Sequence, residues 1–304
     1  PIPPETHAVA PLPRAHRPVW PWAVAALALA GWVVTAVVLT PRTPSGWIDL
    51  RASLALPDSI GIPVGSFQNA SPATLAVSPS GDQVVYVGWQ KDVGGSLYLR
   101  HLDSFDAVRL TNTADPVAPF FAPDGQRLAY VAGGRIWRID LPGGVPVALG
   151  PATAAWVGGS WTDEDTIVYA PSFADPLWTV PAGGGQARQL TTVDRAAGEV
   201  SHRWPCALPG NAGVLFTIKS ATDESLDDAR IAVSDPRTGE HRVLIEGGSM
   251  PRYLDSGQLV FARSGHLYAV GFDLSSRTIR GAPVSVLDGV ATQPMNGAAW
   301  YDVT

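Results

Sequence analysis

The sequence predicts an all-β fold: a β-propeller of four-stranded blades, five complete and a sixth begun, preceded by a single transmembrane helix. Three observations carry this. A strand–turn–strand grammar recurs along most of the chain and is clearest from Ala118 to Val131 (APFFAPDGQRLAYV), where Pro-Asp-Gly makes the turn. Equivalent turn positions fall at Ser80, Asp124, Glu164, Gly210 and Ser256, every 40–46 residues, which is the period of a propeller blade. Ahead of the repeats stands an apolar run with no charged residue between Arg17 and Arg42.

Residues 1–19 carry prolines at 1, 3, 4, 11, 13 and 18. Proline lacks the backbone donor that helices and sheets need, so this stretch reads as an extended juxtamembrane linker. Residues 20–40 are almost wholly apolar, and about twenty such residues at helical rise cross the hydrocarbon core. Trp20 and Trp22 suit an interfacial anchor. A cleaved signal peptide fits less well, because the run is long and no Ala-x-Ala site follows it. Arg14 and Arg17 on one side face Arg42 and Arg51 on the other, so charge alone barely orients the span. Residues 41–70 read as a linker holding a candidate ring-closing strand at 47–56.

Residues 71–304 hold the repeats, and period-2 patterns dominate from Leu75 onward. Second strands are expected at 83–87, 127–131, 166–169, 213–218 and 258–262. Third strands follow at 96–100, 135–139, 177–180, 230–233 and 266–270, and fourth strands at 107–110, 146–149, 187–190, 241–245 and 283–287. Turn formers such as Pro142-Gly-Gly and Asp235-Pro-Arg-Thr-Gly separate the last two. A blade that is apolar on both faces must be covered by its neighbours. Tyr86, Tyr130, Tyr169, Phe216 and Phe261 are the expected blade-to-blade packing residues. The final GAAWYDVT reads as the opening of a sixth unit cut before its turn, which would leave the ring unclosed and one blade edge exposed.

Composition agrees with this architecture. Hydrophobic residues make up 46 % and charged residues only 16 %, with 31 Gly and 28 Pro for turns. A net charge of −6 offers no basic surface, so no nucleic acid is expected on this chain. The single cysteine, Cys206, forms no internal disulfide and reads as a small core residue.

No stretch carries a nucleophile elbow or a zinc-protease helix, so no catalytic residue is assigned. The histidines at 7, 16, 101, 202, 241 and 266 show no metal-ligand spacing, and no metal or cofactor is called for. Asp223 to Asp228 (DESLDD) lacks the ligand order of a calcium loop and reads as a solvated connection. Gly183 to Gly185 precedes a strand, not a helix, and reads as a hairpin turn. His202, Arg203 and Trp204 form the most distinctive polar–aromatic group. They are expected just before the innermost strand of the fourth unit, at the mouth of the central channel. They are the candidate ligand-binding residues, with an Arg203–Glu199 ion pair and a packed Trp204 as the plainer alternative.

The turns Ser-Pro-Ser-Gly and Ala-Pro-Asp-Gly, the second followed by Leu-Ala-Tyr-Val, resemble the TolB-like, WD-repeat-like propeller repeats of bacterial proteins over about residues 70–304. Leu97 to Asp103 (LYLRHLD), Gly198 to Pro205 (GEVSHRWP) and Val214 to Thr217 (VLFT) resemble the C-terminal region of bacterial receptor-type serine/threonine protein kinases. In that family a cytoplasmic kinase domain precedes a Pro-rich linker, one span and an extracytoplasmic propeller. The resemblance implies a sensor or protein-interaction module in the inner membrane, with its N-terminus cytoplasmic and the bilayer contacted through 20–40. An envelope protein or small ligand would bind the propeller. The kinase motifs themselves are missing, so no kinase residue transfers to this chain. Two alternatives stay open: the propeller of a membrane-anchored prolyl-oligopeptidase-type peptidase, or of a membrane-bound winged-helix transcription regulator.

Overall fold

A computed structural model describes residues 60–62, 74–153 and 155–304, all within one compact unit spanning Leu56–Thr304. The apolar run at 20–40, the linker before it and the 47–56 strand lie outside the described residues. Among the described residues no helix is long and apolar enough to cross a membrane.

Five antiparallel four-stranded sheets follow one another, each a simple meander. Blade one is β1 (Leu75–Val77), β2 (Gln83–Gln90), β3 (Gly94–His101) and β4 (Ala107–Arg109). Blade two is β5 (Val117–Phe121), β6 (Arg127–Ala132), β7 (Arg135–Asp140) and β8 (Val147–Pro151). Blade three is β9 (Gly159–Trp161), β10 (Thr166–Tyr169), β11 (Trp178–Pro181) and β12 (Arg188–Gln189). Blade four is β13 (Glu199–Ala207), β14 (Val214–Ser220), β15 (Arg230–Ser234) and β16 (His241–Glu246). Blade five is β17 (Ser249–Leu254), β18 (Gln258–Arg263), β19 (His266–Asp273) and β20 (Thr278–Asp288). The expected strand order holds in all five units.

The core lies between blades because each second strand is apolar on both faces. In β6, Leu128 and Tyr130 join Val85 and Leu97 of blade one. Their alternating neighbours Ala129 and Val131 join Ile167 and Tyr169 of blade three. In β14, Phe216 and Ile218 join Val168 and Leu177 of blade three, while Leu215 joins Leu259 and Phe261 of blade five. Period-2 side-chain alternation therefore feeds two interfaces at once. All five expected packing aromatics are buried, with Phe216 and Phe261 at 0 % exposure.

A repeated backbone device shapes the inner edge. Ala118, Gly158, Trp204 and Met250 occupy one equivalent position, and all are left-handed, with φ of 51°, 106°, 53° and 54°. At Ala118, Trp204 and Met250 the ladder to the second strand also slips register. A bulge bends a strand and re-aims the residues after it. Repetition from blade to blade turns the next residues of each first strand toward the propeller axis.

Between blades five and one lies the segment expected to open a sixth unit. Ala298–Ala299 pairs with Thr292–Gln293 as a two-stranded ribbon, β22 with β21. Residues 301–304 then run between β17 and β1. The Asp302 carboxylate accepts the Val77 N–H at 2.9 Å and lies 3.6 Å from Arg252 Nε. Tyr301 donates to the Met250 carbonyl and Thr304 to the Pro79 carbonyl. The seam between the first and fifth inner strands is thus bridged by side chains, not left bare. Gly61 forms an antiparallel bridge with Trp89 on the edge of β2 that faces away from β3.

Candidate functional site

The first strands of the five blades and residues 301–304 surround a central cavity of about 370 Å³. One register of the repeat contributes Phe120, Ser160, Cys206 and Arg252 to its wall, and the next contributes Phe121, Trp161, Ala207 and Tyr253. The turn end is formed by Pro79, Pro123, Asp163, Pro209 and Asp255. The wall is therefore aromatic and apolar, with one ion pair, Arg252–Asp302, and two exposed acids at one mouth. Asp163 also accepts the Gly210 N–H at 2.6 Å and ties two blades together at that rim.

This chemistry suits binding. Burial pushes the Cys206 thiol up, which keeps it protonated and weakly nucleophilic. No histidine among the described residues lines the cavity as a base for it. Burial likewise pushes the Tyr301 phenol up, so it stays a neutral donor.

The sequence-predicted trio divides. His202, Arg203 and Trp204 lie inside β13 and not before it, because the strand begins three residues earlier, at Glu199. Exposure of 0 %, 4 % and 2 % removes the solvent-facing mouth position expected for them. Trp204 alone reaches the cavity wall. Its backbone N–H donates to Val157 O at 2.8 Å and its indole N–H to Asn296 O at 2.8 Å. Arg203 turns away from the channel. Its Nε donates to Ser201 Oγ at 2.8 Å and Nη2 to Phe173 O at 3.1 Å, with the guanidinium 5.1 Å from the Phe173 ring centre. The expected Arg203–Glu199 pair is not formed. Burial lowers the Arg203 pKa to about 10, which still leaves it charged.

Glu199 instead receives His202 and His241. His202 Nε2 lies 3.1 Å from Oε2, and His241 Nε2 lies 3.3 Å from Oε1. The Asp194 N–H donates to Oε2 at 2.9 Å, and Arg230 Nη2 stands 3.8 Å from Oε1. His202 Nδ1 lies 2.7 Å from Thr191 Oγ1, which also accepts the Leu177 N–H at 2.9 Å. Burial opposes ionisation of Glu199, but hydrogen bonds from His202, Asp194 and His241 overcome it and hold the carboxyl at about 2. Burial also lowers the His202 pKa against the pull of Glu199, which favours the neutral ring.

Glu199, His202 and His241 are the described residues whose ligand atoms could share a metal ion, all lying within 4.8 Å of one another. The histidines showed no metal spacing in sequence because His202 and His241 are contributed by opposite edges of the same sheet. In a regular strand Glu199 and His202 would also face opposite sides. A register shift between Glu199 and Ser201 places them on one side.

Arg252, Tyr253, Tyr301 and Asp302 were missed as wall residues. Overlaying the five turns would have flagged Arg252, a lone cation in a register otherwise held by Phe120, Ser160 and Cys206. Among the acids of Asp223–Asp228, Asp223 accepts the Ser220 N–H at 2.6 Å and Asp228 the Ser225 N–H at 3.2 Å, while Asp227 accepts the Ser264 N–H of blade five at 2.6 Å.

No family model matches the sequence, and no curated protein matches it. Among solved structures the chain is similar to TolB from Acinetobacter baumannii, at 15 % identity and TM-score 0.53, over 71 % of this chain and 54 % of that one. The match thus spans about half the length of that TolB. A chain of a nidogen/laminin complex is similar at 12 % identity and TM-score 0.50, over 68 % of this chain and 77 % of that one. At these identities the likeness is one of fold, and the chain has a TolB-like β-propeller fold.

Proposed function

We propose that this chain is the membrane-tethered, extracytoplasmic binding half of a receptor-type serine/threonine kinase, taking its ligand or envelope partner at the central channel. The observation that supports the binding role is the cavity wall. Five inner strands present aromatic and aliphatic surface around the Arg252–Asp302 pair, a concave apolar site with few polar groups to fix orientation. The tether and the kinase rest on the order of Pro-rich linker, apolar run at 20–40 and repeats, together with the sequence resemblance. Signalling would need the ligand to bind one arrangement of the spans better than another.

A photo-crosslinking amino acid at position 253, on the channel wall, tests the binding role against the same group at position 286 on the outer strand β20. Envelope components crosslinked at 253 and not at 286 support the channel. Equal or reversed labelling rejects it. Topology is tested separately by adding protease to spheroplasts: digestion of the propeller agrees with an extracytoplasmic location, and full protection refutes it. A His-Arg-Asp and Asp-Phe-Gly pair encoded upstream supports the kinase. A Gly-x-Ser-x-Gly encoded downstream moves the assignment to a peptidase.

A further inference from the structure

We propose that Glu199, His202 and His241 form a two-histidine, one-carboxylate site for a divalent transition-metal ion of the zinc class, set at the seam between blades three and four. The site is independent of the channel and of the role proposed for it.

The geometry fits the ion. With zinc–nitrogen and zinc–oxygen bonds of about 2.0–2.1 Å, tetrahedral ligand atoms stand roughly 3.3 Å apart. Glu199 Oε2 and His202 Nε2 are 3.1 Å apart, and Glu199 Oε1 and His241 Nε2 are 3.3 Å apart. All three ligand atoms lie within 4.8 Å, so a small movement of the His241 ring closes the set. Three protein ligands leave the fourth position to water. Imidazole and carboxylate donors favour zinc and its first-row neighbours over calcium or magnesium, which prefer oxygen alone.

The outer partners are also those of a metal histidine. A ligating imidazole usually donates its other N–H to an oxygen, which fixes its tautomer and direction. Thr191 Oγ1 stands 2.7 Å from His202 Nδ1 and is itself held by the Leu177 N–H. On metal binding the His202 proton passes from Nε2, where it now faces Glu199, to Nδ1, where it faces Thr191, with no change of ring charge. The Asp194 N–H holds Glu199 Oε2. Two cations stand nearby among the described residues: Arg230, whose Nη2 is anchored 2.8 Å from Ser220 Oγ and lies 3.8 Å from Glu199 Oε1, and Arg195, which is held by the backbone carbonyls of Glu199, Val200 and Ala174. His241 is 16 % exposed and gives the ion its access.

A metal here would join the first and last strands of blade four, β13 and β16, beside the segment arriving from blade three. Glu199, His202 and His241 belong to blade four, while Thr191 and Asp194 belong to the segment arriving from blade three. Elsewhere blades three and four meet through apolar packing and through hydrogen bonds such as Gly210 N–H to Asp163 and Trp204 N–H to Val157 O.

The test uses the full chain in detergent micelles, stripped with EDTA and titrated with Zn²⁺ alone. His7 and His16, which lie outside the described residues, are replaced by alanine throughout so that they cannot bind the added Zn²⁺. One Zn²⁺ per chain is expected, with affinity falling roughly tenfold or more in His241→Ala. His266→Ala, which removes the exposed pair with Asp288 and an edge contact with the Tyr268 ring, should leave binding unchanged. Circular dichroism checks that His241→Ala still folds. X-ray absorption of the zinc-loaded parent needs no ligand variant and should show two imidazoles. Absence of stoichiometric binding, equal affinity in His241→Ala, or a zinc environment without two imidazoles overturns the site.

Discussion

Asp302 accepts a hydrogen bond from the Val77 backbone N–H at 2.9 Å, joining residues 225 positions apart. The same carboxylate lies 3.6 Å from Arg252 Nε, so one side chain touches both inner strands that flank the seam. A charge-assisted hydrogen bond is worth about 1.5–3 kcal/mol, and its loss strands a donor and a cation together. Asp302→Ala is therefore expected to lower unfolding stability by about 2 kcal/mol in a urea titration. Asp302→Asn keeps an acceptor for Val77 and should cost less than the alanine variant. Equal losses would show that the Val77 bond contributes nothing.

Gly158 is required twice over. Its φ of 106° is a conformation that side chains rarely adopt, and an added Cβ would stand 2.9 Å from the Trp204 Cα. That neighbour is backbone and cannot swing aside. Gly158→Ala should cost at least about 2 kcal/mol through overpacking and left-handed strain. Gly183, where a Cβ meets nothing within 4 Å and no unusual φ is needed, is the control. Gly183→Ala should change the thermal midpoint little or raise it slightly.

Phe261 tests the blade-to-blade core. It is fully buried, and its ring stacks on Tyr268 with centroids 5.6 Å apart. It packs among Leu215 and Ile231 of blade four. Phe261→Ala should destabilise by about 3–5 kcal/mol. Phe173→Ala, at a 43 % exposed side chain, should cost far less in the same thermal melt.

Strands and packing aromatics were legible because both follow from local rules: alternation, turn residues and a 40–46 residue period. The sites were legible only in part. His202, Arg203 and Trp204 stood out correctly as unusual, yet β13 starts at Glu199, so they are walls and props, not a rim. Nothing local extends that strand backwards. Its ladder partner Ser220 lies beyond the turn, and the register shift after Glu199 leaves no sequence mark. Glu199 and His241 are 42 positions apart and meet only because β16 forms the far edge of the same sheet. The Arg252–Asp302 pair depends on where residues 301–304 settle, between β17 and β1, which no local sequence rule states.

Trp204 links the channel to the seam. A bulky residue in left-handed backbone is costly and persists only where its surroundings over-determine it. Here the main-chain N–H is tied to Val157 and the indole to Asn296, each at 2.8 Å, while the ring packs beside Met250. Trp204→Phe keeps most of the packing but removes the indole N–H that donates to the Asn296 carbonyl at 2.8 Å. That change should cost about 1–2 kcal/mol. Trp204→Gly relieves the backbone and opens a large cavity, a trade the cavity should dominate, with a loss of about 3–5 kcal/mol. The ordering matters more than either value. If Trp204→Gly proved the milder variant in urea unfolding, left-handed strain would outweigh packing at this bulge. The repeated φ at Ala118 and Met250 would then be a cost borne to aim the channel wall.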